Sequence, residues 1–182
     1  MQRSWYNPNM GGYPNYGILD ELFRMLSYMS PGEVIRELLF ENVSEKHGGS
    51  KTHFARKLYD LKKNGFIVTN GQHINLTQKG RKRIDTERIE QLRWETKKQD
   101  GFYRLIMFDI PEKRRGARDI LRNKLQEFDC HQIQKSVYAT PYCCEDILNE
   151  LVRLLRIERF VSIVKAVHLG HDDGKIRKYF KK

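Results

Sequence analysis

The feature that most constrains the fold is a fixed alternation of strand-like and helix-like segments between residues 102 and 169. The first segment places apolar side chains in both alternating sets, which is typical of a central strand covered on both faces. Helical segments show apolar residues three and four positions apart. The predicted order is strand, helix, strand, strand, helix, strand, at residues 102–108, 113–128, 132–140 (one strand, or two that are broken near Ser136), 145–157 and 160–169.

This order predicts a ferredoxin-like βαββαβ domain, which we assign to residues 101–182. One face of such a sheet takes both helices. The predicted buried residues of the first helix are Ala117, Ile120, Leu121, Leu125 and Phe128. The other face of the sheet must be buried against another surface. A second copy of the same chain can provide that surface without any additional protein. We therefore expect this domain to dimerise.

The preceding segment predicts a winged helix-turn-helix domain over residues 18–84. Apolar spacing indicates two helices between residues 18 and 45, and Ser50 is placed to cap a third helix. Asn70 and Gly71 then join two short β-prone runs, which is a strong hairpin signal. Three helices followed by a hairpin is the winged-helix order, so the predicted fold class is α+β with two domains.

Two further segments complete the predicted organisation. Residues 1–17 are rich in Asn, Gly, Pro and Tyr and are predicted to form a disordered tail. Residues 85–100 are strongly charged, with few apolar positions, and are predicted to form a helix that connects the domains without joining a core. The dipeptide Asp100-Gly101 marks the expected domain boundary.

The distribution of charge indicates a polyanionic partner. The net charge is +11, and residues 1–50 contribute −2 while residues 51–100 contribute +7. A basic block inside a helix-patterned segment favours double-stranded DNA, with a solvated lysine-rich surface as the alternative. The candidate DNA-binding residues of the third helix and the hairpin are Lys51, Thr52, His53, Arg56, Lys57, Lys62, Lys63, Gln72 and His73.

Other sequence signals narrow the class of protein. The chain has neither a secretory signal nor an apolar run near the roughly 18 residues of a membrane span, so we expect a cytoplasmic protein with no membrane partner. Cys130, Cys143 and Cys144 lack the spacing of a zinc site and are expected to be reduced. No cofactor is required by these patterns.

The strings QDGFYRLIMFDIPEKRRGARDILRNKL, QIQKSVYATPY and KAVHLG resemble the central domain of the PaaX-type repressors, in which a winged helix precedes this domain. The same domain is similar to the CRISPR-associated protein two family, whose dimeric members act in spacer acquisition and in some cases cleave nucleic acid. LTQKGRKRI also resembles the end of many winged-helix domains, where a Thr caps the next helix. The resemblance implies a dimeric repressor whose third helix enters the major groove. The alternative is a metal-dependent nuclease, or a subunit that works with a CRISPR integrase.

The resemblance also singles out Asp109, which corresponds to the strand-end aspartate of the nuclease members. Two such carboxylates, one per subunit, could hold a single Mg²⁺ at the dimer axis and activate water. The alternative is that Asp109 caps the following turn through its side chain. The next helix carries a basic stripe that could contact DNA phosphates or pair with acids, composed of Arg115, Arg118 and Arg122. The segment from Lys175 onward is either a basic arm or an edge strand exchanged with the partner.

Overall fold

The computed structural model describes residues 25–26, 36–47, 50–95 and 97–180. The chain divides into two compact units, residues 1–84 and 85–182. The class is mixed α+β with two antiparallel sheets, in agreement with the prediction. The predicted tail lies outside the described residues. So does most of the predicted first helix, of which Met25 and Leu26 are described and are helical.

The described helices and strands of the first unit follow one another closely along the chain. They are α1 (Arg36–His47), α2 (Lys51–Lys63), β1 (Ile67–Asn70), β2 (His73–Leu76) and the start of α3 (Gln78–Gln91). Ser50 caps α2 as predicted, because its hydroxyl oxygen accepts a hydrogen bond from the His53 backbone N–H at 3.3 Å. The helix N-terminus is thereby fixed one residue after Ser50.

The predicted hairpin is present, with its turn one residue later than expected. Asn70 pairs with His73, so Gly71 and Gln72 form the loop. Gly71 has φ +57°, a conformation that only glycine adopts without steric cost, and this explains why the hairpin turns here.

Thr77 joins the hairpin to α3, as the capping Thr of the predicted motif should. Its hydroxyl donates to the Gly65 carbonyl at 2.6 Å and accepts from the Gly80 N–H at 3.0 Å. A Cβ atom at Gly80 would lie 2.2 Å from the Phe66 carbonyl oxygen, so the position has no room for a side chain. The core of the first unit consists of Leu26, Leu39, Val43, Phe54, Leu58, Leu61, Ile67, Ile74 and Ile84.

The second unit has the predicted strand and helix order. Its elements are β3 (Gln99–Phe108), α4 (Arg115–Glu127), β4 (His131–Gln134), β5 (Val137–Tyr142), α5 (Glu145–Leu155), β6 (Val161–Ala166) and α6 (Asp173–Phe180). The strands form one antiparallel sheet in the order β4-β5-β3-β6. The long strand β3 is therefore central, and β4 and β6 form the edges.

One face of this sheet carries the core. Ile106 and Phe108 of β3 and Tyr138 of β5 pack with the apolar sides of α4 and α5. The prediction that Ile120 is buried was wrong, because this side chain is 39% exposed on α4 while its neighbour Leu121 is buried. The face of α4 that meets the sheet is thus narrower than its apolar composition suggested.

The opposite face of the sheet is partly covered within the chain. His131, Ala139, Leu105 and Val164 form one row across the strands of this face. The ring of Tyr179 on α6 lies 4.5 Å from the ring of His131, so α6 covers the side near β4. The C-terminal segment is therefore a helix, Asp173–Phe180. The predictions of a basic arm and of an exchanged edge strand were both wrong. The prediction that β3 is covered on both faces holds only in part, since Met107 is 37% exposed.

The connection between the units also differs from the prediction. The helix ends at Gln91, and β3 already begins at Gln99, so Asp100 and Gly101 lie inside a strand and not at a boundary. Ile89 is buried in the second core, and Leu92 and Trp94 pack against it. Trp94 contacts the rings of Phe128 and Tyr142 edge-on, each at 5.9 Å. Residues predicted to bridge two domains thus belong to the second core.

The cysteines have the environments expected of reduced structural residues. All three are free, and burial raises the pKa of the Cys144 thiol to about 12. None of the helices that the structure describes combines the length and the low charge required to cross a membrane.

Candidate nucleic-acid interface

The outward face of α2 is the strongest candidate surface of the first unit. Phe54, Leu58 and Leu61 point into the core, and the opposite side of the helix carries a stripe spaced four, three and four residues apart. We call this the outward stripe. It consists of Thr52, Arg56, Tyr59 and Lys63, all exposed.

Most of the predicted basic residues of α2 have head groups available to a ligand. Within the described part of the chain, the side chains of His53, Arg56 and Lys57 make no hydrogen bond or ion pair, and Lys57 is half-buried. Two other lysines are engaged with the unit itself. Lys62 donates to the Thr69 hydroxyl at 2.9 Å, and the Lys51 ammonium lies 5.8 Å from the centre of the Phe40 ring. The available charge is therefore concentrated on the outward stripe and its flank.

The two predicted residues of the hairpin lie at its tip. Gln72 is in the loop and His73 is the first residue of β2, and both are exposed. Lys62 ties α2 to β1 through Thr69, so the hairpin and the helix are held together within one unit. The structure thus brings the predicted helix and hairpin residues into the same small unit.

The predicted arginines of α4 serve the second unit itself. Arg118 forms an ion pair with Glu112 at 2.8 Å, which lowers the pKa of that carboxyl, and it donates to the Ile110 carbonyl. Arg122 donates to the Lys135 carbonyl at 2.8 Å and lies over the Phe108 ring. Arg115 remains largely exposed and makes a loose ion pair with Asp119 at 3.6 Å.

Asp109 lies directly after β3 and is exposed. Its backbone N–H donates to the Phe160 carbonyl at 2.9 Å. Among the described residues no group bonds to its carboxylate, so neither a side-chain cap of the next turn nor a pair with an arginine is formed. No group of three or more potential metal ligands occurs among the residues described. The predicted Mg²⁺ site combines Asp109 with its copy in a second subunit.

A buried charge cluster at the start of β3 was missed by the sequence analysis. Arg104 is 1% exposed, and its guanidinium bonds to both carboxylate oxygens of Asp100 and to Glu145 at 3.0 Å. Lys165 reaches the same two carboxylates from the surface, at 3.4 and 3.7 Å. An arginine inside the apolar run YRLIMF was the signal that could have revealed it, because a charge inside a central strand requires partners.

The cluster changes the acidity of its members. The hydrogen bonds from Arg104 hold the pKa of Asp100 well below its usual range, and the same contacts raise the pKa of Arg104. Burial works to raise the pKa of Glu145, but hydrogen bonds from its own backbone N–H and from Arg104 lower it overall. Both carboxylates are therefore ionised at neutral pH, and they compensate the buried charge of Arg104.

His168 and Asp173, near the C-terminus, have structural roles. Asp173 is buried and accepts hydrogen bonds from the Leu169 backbone N–H and from Arg177, which is on the next turn of α6. His168 lies 3.7 Å from the same carboxylate. These contacts fix the start of α6 on the second unit.

The second unit is therefore an α+β domain of the split βαβ type, with two helices packed on one face of a four-stranded antiparallel sheet. Residues 96–176 match the family model of the PaaX protein central Cas2-like domain. The match covers 81 of the 182 residues, so the second unit is similar to this domain of the PaaX protein.

No curated protein matches the chain. One solved structure, described as the uncharacterized protein Rv0674 from Mycobacterium tuberculosis, matches 87% of this chain at 15% identity with a TM-score of 0.34. The match covers 64% of that protein, so this chain spans slightly less than two thirds of its length.

Proposed function

We propose that the chain is a PaaX-like transcriptional repressor that binds double-stranded DNA as a homodimer through its first unit. The observation that carries the proposal is the outward stripe of α2 and its flank, where the side chains of Arg56, Lys57 and His53 make no hydrogen bond or ion pair with any described residue. The similarity of residues 96–176 to the PaaX central domain supports the same conclusion, because the PaaX-type repressors that the sequence resembles are regulators.

The order of elements in the first unit supports a winged helix. The helix α2 follows α1 after a short connection and has its own N-cap, and a two-residue hairpin follows it. In such domains the second helix of the pair lies in the major groove, with its N-terminal residues nearest the base edges. Thr52, His53 and Arg56 occupy that part of α2, and Lys63 near the C-terminal end would contact a phosphate.

The hairpin supplies a second contact in this arrangement. Gln72 and His73 at its tip would reach the sugar-phosphate backbone beside the groove. Contacts of this kind set the orientation of the protein, while the helix reads the sequence. We expect the α4 arginines to contribute little to DNA binding, because Arg118 and Arg122 are engaged in bonds within the second unit.

The proposal is tested by selecting binding sites from a random pool of double-stranded DNA with the full-length protein. A homodimer should enrich two related half-sites at a fixed separation, since its two recognition helices are held apart by the dimer. Enrichment of a single undivided site would contradict the dimeric arrangement. Enrichment of no sequence at all, with equal affinity for every DNA, would contradict a repressor with a defined operator.

The dimer is proposed to form through the part of the sheet that α6 leaves uncovered. Leu105 and Val164 lie opposite each other on this face, Val164 is 43% exposed, and Met107 follows on the same side of β3. Apolar side chains exposed together on a sheet are stabilised when a second copy covers them.

Replacing Met107 by Glu is expected to convert the dimer into a monomer, because the new carboxylate would lose its hydration at the interface. Sedimentation equilibrium measures the mass, and thermal unfolding checks that the monomer is folded. Phe102→Glu is the control, since this exposed residue alternates to the other side of β3. A Met107→Glu protein that remains dimeric would exclude this face as the interface.

A second candidate function is a metal-dependent endonuclease or an integration-complex subunit, and the free carboxylate of Asp109 favours it. Two copies of this residue across a twofold axis would provide oxygen ligands of the kind that Mg²⁺ prefers. A bound Mg²⁺ would lower the pKa of a water molecule and stabilise charge on a phosphodiester. The side chain of Asp109 would serve only to hold the ion.

If this second function is correct, Asp109→Ala abolishes cleavage of DNA or RNA in Mg²⁺ or Mn²⁺ and leaves DNA binding unchanged. Gel analysis of labelled substrates measures cleavage, and fluorescence anisotropy measures binding. Asp146→Ala removes an exposed carboxylate from α5 and should cleave like the wild type. Equal cleavage by the wild type and Asp109→Ala would eliminate Asp109 as a ligand, and no cleavage by the wild type would eliminate the enzyme.

A further inference from the structure

The fold does not explain the surface position of Tyr59. This residue lies in the middle of the outward stripe and is 64% exposed, more than any other aromatic side chain that the structure describes. The core residues of α2 point to the opposite side of the helix. Among the described residues no ring, cation or hydrogen-bonding group contacts the phenol, so its exposure is not compensated within the unit.

The neighbours of Tyr59 identify the kind of ligand that would cover it. Arg56 lies one turn before it and Lys63 one turn after it, both on the same stripe. An aromatic ring between two cations matches a polyanion that also presents apolar groups. In the major groove of DNA the apolar group is the C5-methyl of thymine, which side chains contact by packing.

The position of Tyr59 along α2 indicates which base pairs it would contact. Tyr59 lies about 10 Å along the helix axis from Thr52, given a rise of about 1.5 Å per residue. It therefore follows the N-terminal residues that would contact the central bases and precedes Lys63, which would contact a phosphate. A side chain at this point reaches the outer base pairs of a half-site.

We propose that Tyr59 is a specificity-determining residue that packs on a thymine methyl group and selects thymine at one outer position of each half-site. This inference rests on the proposed DNA-binding function and adds the identity of one base that the protein would recognise. The ring supplies the contact, and the hydroxyl remains free to contact water or a phosphate.

The test uses the full-length protein and a site selected from random DNA. Each thymine of the site is replaced in turn by deoxyuridine, which removes only the methyl group. Wild-type affinity should fall about fourfold at one thymine per half-site, the effect of one buried methyl group. Tyr59→Ala should bind the thymine site more weakly and respond equally to thymine and deoxyuridine there. Tyr59→Phe should keep the fourfold response, because the ring is retained.

Phe102→Ala is the matched control, since it removes an exposed ring from the second unit, and it should keep the wild-type response. The proposal is overturned if the wild type responds at no thymine, if the selected site contains no thymine, or if Tyr59→Ala keeps the response. A wild-type protein that selects no DNA overturns the proposed function itself. Selection of a defined site without a methyl effect overturns only the role of Tyr59.

Discussion

Replacing Arg56 and Lys57 together by alanine is expected to weaken DNA binding about a hundredfold at moderate salt. Arg56 lies on the outward stripe and Lys57 on its flank, and neither head group has a partner among the described residues. A bidentate arginine contact with a base contributes about 1–3 kcal/mol, and a phosphate contact adds an electrostatic contribution. Fluorescence anisotropy on the selected site measures the loss.

The salt dependence separates this effect from unfolding. Each lost phosphate contact should reduce the slope of log K against log salt by about 1. Arg153→Ala combined with Lys98→Ala is the matched control, because it removes one exposed arginine and one exposed lysine from the second unit. If the control weakens binding as much as the α2 variant, or if the α2 variant binds normally, α2 is not the reading helix.

The second large effect is expected on stability, from Arg104→Met. This substitution keeps an apolar stem of similar length and leaves the carboxylates of Asp100 and Glu145 close together without their buried cation. Breaking a buried ion pair costs about 3–5 kcal/mol, and partial exposure of these carboxylates reduces the figure. We therefore expect the free energy of unfolding to fall by about 2–3 kcal/mol in urea titrations.

The surface member of the same cluster provides the control. Lys165 touches both carboxylates but is more than half exposed, so Lys165→Met should cost less than about 1 kcal/mol. If both variants lose the same free energy of unfolding, the burial of Arg104 does not account for its contribution to stability.

The pH dependence of unfolding gives an independent check with a definite sign. In the folded protein Arg104 holds the pKa of Asp100 below its unfolded value of about 4. The resulting stability is present above that pH and is lost as the pH falls toward the folded pKa. The difference between the wild type and Arg104→Met should therefore shrink below about pH 4. A difference that stays constant down to pH 2 would contradict an ionic origin.

Local patterns in the sequence were sufficient to predict most of the helices and strands. Ser50 and Thr77 were identified as helix caps because a hydroxyl at a helix start has one common use, and both make the expected bond. The glycine of the hairpin was identified because a positive φ favours that residue. The βαββαβ order followed from periodicities of two and about 3.6, which depend only on neighbours along the chain.

Features that depend on contacts between distant residues were not predicted correctly from the sequence. The helix α3 was extended too far because its continuation is helix-prone, whereas Trp94 is fixed by the rings of Phe128, just after α4, and Tyr142 in β5. The C-terminal segment was assigned as an arm or a strand because its lysines and arginines gave no core signal. Its helix is positioned by Asp173 and by the contact between the rings of Tyr179 and His131.

The candidate DNA-binding site also has features that the sequence predicts and features that only the fold reveals. The basic character of α2 and the position of its cap can be read from the sequence, since they involve only residues within one helix. The outward stripe, with Tyr59 at its centre, required knowledge of which side of the helix is buried. The roles of Arg118 and Arg122 also required the fold, because only the tertiary structure shows that Arg118 pairs with Glu112 and the Ile110 carbonyl and that Arg122 bonds to the Lys135 carbonyl.

The sequence by itself therefore determined the order of elements, the charged helix and the family resemblance, because each depends on local spacing and composition. Only the tertiary structure decided which charges are available. Arg104 is neutralised inside the sheet by carboxylates four and 41 residues away along the chain, whereas Arg56 has no partner on the described surface. A charge is available to a ligand when the fold leaves it hydrated and unpaired, and that depends on contacts that close only when the chain has folded.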